Sequence, residues 1–121
     1  MPMSKFKGRT ILIVEDDYLV ALDMAEGLTE AGAVVCGPVA TVEDAIREIE
    51  SRAHLDAALL DVNIRGSYVY PVADVLRQRQ VPFLFLTGYD AASIDPSYAE
   101  IPRCEKPIDF ASISNALFLR T

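Results

Sequence analysis

Short apolar runs alternate along the chain with segments whose apolar positions recur at helical spacing. Thr10-Ile11-Leu12-Ile13-Val14 is continuous, β-branched and bounded by polar residues, the pattern of a strand buried on both faces. After it, Ala21, Met24, Ala25, Leu28 and Ala31 form one stripe, with Asp23, Glu26 and Glu30 opposite, and Gly32 is placed to end this first helix. Ala33-Val34-Val35-Cys36 predicts a second strand that stops at Gly37-Pro38. Thr41 can cap a second helix, in which Val42, Ala45, Ile46 and Ile49 share a face.

Ala57-Ala58-Leu59-Leu60 predicts the third strand, and Pro71 suits the first turn of a helix with Val72, Val75 and Leu76 inward. Pro82-Phe83-Leu84-Phe85-Leu86 predicts the fourth strand. Between Tyr89 and Pro102 the helical signal is weak and Pro96 interrupts it. A short fifth strand falls near Arg103-Cys104-Glu105, and a last helix carries Phe110, Ile113 and Leu117 inward behind Asp109 as its cap. Apolar strands alternating with helices predict an α/β fold with a parallel sheet covered on both faces.

Composition narrows the function without naming it. The 121 residues suit one domain with no output domain after it, and no linker or repeat divides them. Eleven Lys and Arg against eighteen Asp and Glu leave a net charge of −7, which argues against phosphate-neutralising nucleic-acid binding and against anionic membrane surfaces. The longest uncharged stretch, Ala31 to Val42, is too short to span a bilayer, and the apolar run after the basic N-terminus is too short for a signal peptide. Cys36 and Cys104 have no metal-site or redox-motif spacing and are expected as buried, reduced thiols in a cytoplasmic protein.

In an open parallel sheet, ligands bind beyond the carboxyl ends of the strands. Glu15, Asp16 and Asp17 follow the first strand, Asp61, Val62 and Asn63 the third, Thr87 and Gly88 the fourth, and Lys106 and Pro107 the fifth. Carboxylates converging from two strands repel one another unless a cation joins them, and Mg²⁺ takes such a pair together with phosphate oxygens. A lysine supplies positive charge for a phosphoryl group and a threonine supplies a hydroxyl donor. The set is suited to phosphoryl transfer onto a carboxylate. His54, the only histidine, lies in a polar turn; Arg65 can approach a phosphoryl group or face water; Tyr68 and Tyr70 can frame the site or pack.

The segments Ile11-Leu12-Ile13-Val14-Glu15-Asp16-Asp17, Leu59-Leu60-Asp61-Val62-Asn63, Phe85-Leu86-Thr87-Gly88 and Lys106-Pro107 occur in the order and spacing of the receiver domain of bacterial two-component response regulators. The chain resembles that family from Lys7 to about Leu119. The resemblance implies a flavodoxin-like fold with five strands in order 2-1-3-4-5. It implies Asp61 as phosphoacceptor, Mg²⁺ (or Mn²⁺) held by Glu15, Asp16, Asp61 and the Asn63 backbone carbonyl, and Thr87 and Lys106 as the groups that hold the phosphoryl group. It also implies a Lys106-Pro107 peptide bond that is commonly cis, while Asp17 is assigned to the helix start. Asn63 and Tyr89 stand at positions that tune dephosphorylation in the family.

One position departs from the pattern. Three residues before the lysine, where receivers usually carry the Tyr or Phe of their switch, stands Arg103. Pro82-Phe83-Leu84-Phe85-Leu86-Thr87-Gly88-Tyr89 is instead similar to the FATGUY subgroup motif, with Leu86 where alanine is usual. That subgroup tends to have an altered fourth helix and is typically partnered by histidine kinases of the HWE and related HisKA_2 types. The resemblance thus implies a stand-alone response regulator, not an enzyme, phosphorylated by a histidine kinase or histidine phosphotransferase and acting by protein contact or as a relay. Gly88, Tyr89 and Arg103 are candidate modulators. A phosphorylation-independent binding module on the same fold is one rival reading. An aspartate-nucleophile phosphatase is another, but it needs a second acid two residues after the nucleophile, where Asn63 stands.

Overall fold

The computed structural model describes residues 5–88, 94–106 and 109–118. Its main sheet has five parallel strands: β1 (Thr10–Val14), β2 (Val34–Val39), β3 (Ala57–Asp61), β6 (Phe83–Thr87) and β7 (Arg103–Glu105), in the order β2-β1-β3-β6-β7. A two-stranded antiparallel hairpin, β4 (Asn63–Ile64) and β5 (Ser67–Tyr68), lies between β3 and the next helix in the chain. With that hairpin set aside, the order is the expected 2-1-3-4-5 of a flavodoxin-like α/β fold. The helices are α1 (Tyr18–Glu30), α2 (Val42–Glu50), α3 (Tyr70–Gln78) and α4 (Phe110–Phe118).

Period-two alternation along the strands divides the interior into two layers. Leu12, Val14, Ala58, Leu60, Phe83 and Phe85 pack with Ala45 and Ile49 of α2 and with Val72, Ala73 and Leu76 of α3. Ile11, Ile13, Ala57, Leu59, Leu84 and Leu86 pack with Met24 and Leu28 of α1 and with Ile113 and Leu117 of α4. The caps match the sequence reading. Asp17 Oδ1 accepts from the N–H groups of Leu19 and Val20, Thr41 Oγ1 from that of Asp44, and Asp109 Oδ1 from that of Ala111. Among the described residues no helix is long and apolar enough to cross a membrane.

Four features differ from, or add to, the sequence reading. Strand β2 does not stop at Gly37-Pro38 but runs through it to Val39. It is an edge strand, where a proline costs no ladder bond on its outer side. A register shift between Leu12 and Val14 absorbs Gly37, whose φ of +88° and close approach to Ile13 O and Val39 N leave no room for a side chain. The extension matters to the site, because Val39 O accepts from the N–H of Glu15 at 3.0 Å.

Phe6, which precedes the residues carrying the family resemblance, is fully buried against Phe110 and Phe118. Cys36 is buried as expected, with burial pushing its thiol pKa up. Cys104 is a correction: it is only half-buried, because β7 has a neighbour on one side alone. Finally, the weak helical signal before the last strand yields, among the described residues, only a 3-10 turn at Pro96–Tyr98. Tyr89, the expected helical residues 90–93, the Lys106-Pro107 bond and Leu119 involve positions outside the described residues.

Candidate functional site

Strands β1, β3, β6 and β7 deliver their carboxyl-terminal residues to one end of the sheet. Three carboxylates meet there: one oxygen from each of Glu15, Asp16 and Asp61 lies within 4.8 Å of the others. Glu15 is held directly after β1, whose last four residues are buried, and its side chain is 0% exposed. Asp61, the last residue of β3, is 13% exposed, so one carboxylate is sealed and the other faces a route from solvent.

Lys106, one residue past β7, reaches across to both. Its Nζ is 2.9 Å from Glu15 Oε1 and 3.2 Å from Asp61 Oδ2. The backbone fixes this reach, since the Lys106 N–H donates to Thr87 O at 2.9 Å. Burial alone would lower the lysine's pKa, but hydrogen bonding and attraction from Glu15 and Asp61 outweigh it, and the net shift is upward. For Glu15 burial dominates. Together with the neighbouring Asp61 carboxylate it overcomes Lys106 and raises the pKa from 4.5 to about 7.

One further oxygen of each acid is aimed by a backbone N–H. Asp17 N donates to Glu15 Oε2 at 3.1 Å, Arg65 N to Asp16 Oδ2 at 2.8 Å, and Asn63 N makes a long contact of 3.4 Å to Asp61 Oδ1. Thr87 Oγ1 is buried and finds no hydrogen-bond partner among the described residues. A buried hydroxyl without a partner is costly, and a phosphoryl oxygen at this strand end would satisfy it.

These features fit a hard divalent cation. Among the described residues the three clustered acids share one ammonium, that of Lys106, and burial followed by the neighbouring Asp61 carboxylate makes Glu15 hard to ionise. Oxygen donors from Glu15, Asp16 and Asp61 are the type Mg²⁺ takes. In metal-free buffer the same crowding predicts a pH effect. Because the folded pKa of Glu15 lies above its ordinary value, the folded state holds a proton that the unfolded chain releases between pH 4.5 and about 7. The contribution of Glu15 to stability is therefore full below pH 4.5 and lost as pH rises through about 7. Denaturant unfolding in the presence of a chelator should show wild type losing stability across that window relative to Glu15→Gln. Parallel curves would show that Glu15 is not so perturbed.

The structure thus brings together Glu15, Asp16, Asp61, Thr87 and Lys106, and places Asn63 beside Asp61. Gly88 follows β6 and is exposed, and Arg103 lies exposed on β7 opposite Phe85. His54 is remote in function: its Nε2 is 2.9 Å from Asp56 Oδ1, and Asp56 Oδ2 accepts from Thr10 N at the opposite end of the sheet. Tyr70 packs, stacking on Tyr98 at 4.4 Å between ring centres, while Tyr68 covers it as an exposed outer layer at 5.4 Å.

Sequence reasoning missed the β4–β5 hairpin and its link to Asp16. Its central residues, Arg65 and Gly66, both have positive φ, 52° and 79°. That is a type I′ turn, which prefers Asn-Gly and costs another side chain about 1 kcal/mol or more. Gly66 after Arg65 was the only local signal for it.

No family model and no curated protein matches the chain. Solved structures do. The solution structure of SdrG from Sphingomonas melonis Fr1 is 37% identical, with a TM-score of 0.80 over 91% of this chain and 93% of that one. SdrG from Pseudomonas melonis Fr1, solved in its BeF3-activated conformation, is 38% identical with a TM-score of 0.74 over 89% and 92%. A response regulator receiver protein from Sinorhizobium medicae WSM419 is 26% identical, with a TM-score of 0.75 over 91% of each chain.

Proposed function

The chain belongs to the response regulator receiver family, and from that premise we propose that it is a phosphoacceptor that takes a phosphoryl group from a phosphohistidine partner onto Asp61. The observation that carries this reading is the charge arrangement around that residue. Asp61 is the partly open member of the acidic cluster, and its Oδ2 is paired with Lys106 Nζ at 3.2 Å.

An oxygen of Asp61 attacks phosphorus, the phosphorus–nitrogen bond to the donor imidazole breaks, and the imidazole leaves with a proton taken from solvent. Glu15, Asp16, Asp61 and the Asn63 carbonyl would hold Mg²⁺, which when bound neutralises charge on the transferring oxygens. Lys106 already sits against Asp61 and can pass to a phosphoryl oxygen without crossing the pocket. The buried Thr87 hydroxyl, without a partner among the described residues, donates to another. Both groups lie at the carboxyl ends of the neighbouring strands β6 and β7, so closing on the phosphoryl group acts on both strand ends at once.

The donor class follows from the family, and the FATGUY-like Pro82-Phe83-Leu84-Phe85-Leu86-Thr87-Gly88-Tyr89 favours a kinase of the HWE or HisKA_2 type or a phosphotransferase fed by one. Output is by protein contact or onward transfer, in the cytoplasm, without turnover of a substrate. Incubation with acetyl phosphate and Mg²⁺, followed by borohydride reduction, tests the acceptor. An aspartyl phosphate is reduced to homoserine, so peptide mass spectrometry should find homoserine at position 61. Modification at His54, or none, would overturn the assignment.

A further inference from the structure

Arg65 is out of place by the ordinary rules of its turn. Its φ of 52° is one that Asn, Asp or Gly adopts with less strain, and the following Gly66 already provides for the other half of the turn. Yet the turn is where the site is most closely held on its open side, since the Arg65 N–H donates to Asp16 Oδ2 at 2.8 Å. The main chain alone needs no arginine for that bond, as any residue except proline has the same N–H.

The side chain stands at the mouth of the site. Arg65 lines a cavity of about 230 Å³ together with Glu15, Asp16, Tyr18, Leu22 and Pro38. Tyr18 and Leu22 are exposed, as is Arg65 itself, so the cavity opens to solvent and reaches two of the three clustered acids, Glu15 and Asp16, whose carboxylates adjoin that of Asp61. Lys106 is committed to Glu15 and Asp61 from the β7 side. An anion arriving through the cavity therefore meets Arg65 before it meets Lys106. Guanidinium groups present a planar fork of donors that matches phosphate oxygens.

We propose that Arg65 is a phosphodonor-binding residue: its backbone orients Asp16, and its guanidinium receives the phosphoryl group of the donor at the mouth of the site and guides it to Asp61. This rests on the reading of Asp61 as phosphoacceptor and adds the group that recognises the incoming anion. When the donor arrives, the exposed Arg65 side chain is fixed between phosphoryl oxygens on one side and the tyrosine and leucine of α1 on the other.

The test separates guanidinium from turn. Arg65→Asn keeps the N–H to Asp16 and suits the positive φ better, so the variant should be at least as stable to denaturant as wild type. Calorimetric titration with Mg²⁺ alone should give unchanged affinity. With acetyl phosphate as probe at sub-saturating concentration, its initial rate of Asp61 phosphorylation should fall by about tenfold or more. The deficit should shrink as salt is raised, because screening weakens attraction at an exposed cation. Arg65→Lys should recover part of the rate.

If Arg65→Asn is phosphorylated at the wild-type rate, or if its Mg²⁺ affinity falls in proportion to its rate, the guanidinium has no part in donor binding while Asp61 remains the acceptor. If wild type itself takes no phosphoryl group from acetyl phosphate, the acceptor reading fails and this inference with it.

Discussion

Asp61→Asn is expected to abolish phosphorylation by acetyl phosphate while leaving the fold intact. The substitution exchanges one carboxylate oxygen for an amide nitrogen of nearly the same volume on a side chain that is 13% exposed, so packing of β3 is undisturbed. The neutral amide is no nucleophile toward phosphorus, and the remaining acids are badly placed to replace it. Glu15 is sealed with no exposed side-chain surface and is engaged by Lys106. Asp16 is turned toward the Arg65 N–H. The loss should be complete within detection, as it removes the atom that forms the bond and not a group that assists it. Removing one of three like charges should also let Glu15 ionise more readily, because the Asp61 hydrogen bond and charge are among the causes that raise its pKa. Phosphate-affinity electrophoresis of wild type and variant, with circular dichroism to show the same fold, makes the comparison. Equal labelling of both would remove Asp61 from its assigned role.

How much of this was legible beforehand follows from how local each signal is. Three strands of the main sheet, β1, β3 and β6, are continuous apolar runs, and three helix caps are Asp or Thr just ahead of the first turn, so both could be read from neighbouring residues alone. The positions of Glu15, Asp16, Asp61, Thr87 and Lys106 followed from topology, because in a parallel sheet every strand ends at the same side. What could not be read depends on distant partners. Gly37-Pro38 looks like a stop until β2 is known to be an edge strand with a shifted register. Cys104 has an apolar neighbour on only one side because β7 is the other edge. The bond from Arg65 to Asp16 joins residues far apart in the chain, and nothing near either one announces it.

The aromatic rows show the same limit. Tyr68, Tyr70 and Tyr98 are ordinary exposed or half-buried candidates in the sequence, yet their rings stack within 10° of parallel in one column. The column joins the hairpin beside Asp61 to the 3-10 turn before β7. Tyr70 Oη accepts from Asp95 N at 2.8 Å and Tyr98 Oη donates to Asp74 Oδ1 at 2.7 Å. Burial and the Asp74 carboxylate push the Tyr98 hydroxyl up to about 12, so it is a donor throughout the physiological range. Arg103 lies on the exposed edge strand β7, while the three stacked tyrosines lie on the hairpin, on α3 and in the 3-10 turn before that strand.

Phe6→Ala is expected to cost about 3–5 kcal/mol, among the largest effects of any single change in the chain. The ring is 0% exposed and meets Phe110 and Phe118 edge-to-face, at 6.4 and 5.8 Å between ring centres. It packs in the layer that also holds Ile11 and Ile13 of β1 and Ile113 and Leu117 of α4. Phe6 has no helical or strand period around it, which is why periodicity passes over it, and it enters the core from a short turn whose Phe6 O accepts from Arg9 N at 3.0 Å. Removing the ring leaves a void that neither Phe110 nor Phe118 can fill without shifting α4. Gly27 of α1 limits that shift, since Phe110 lies so close to it that no side chain larger than hydrogen fits there. Because α4 follows shortly after Lys106 in the chain, loosening it should also slow phosphorylation of Asp61 while leaving the acidic residues of β1 and β3 in place. Urea unfolding gives the stability loss directly, and the rate with acetyl phosphate, measured well below the unfolding transition, gives the second effect. A loss under 1 kcal/mol would mean that Phe6 covers the core without belonging to it.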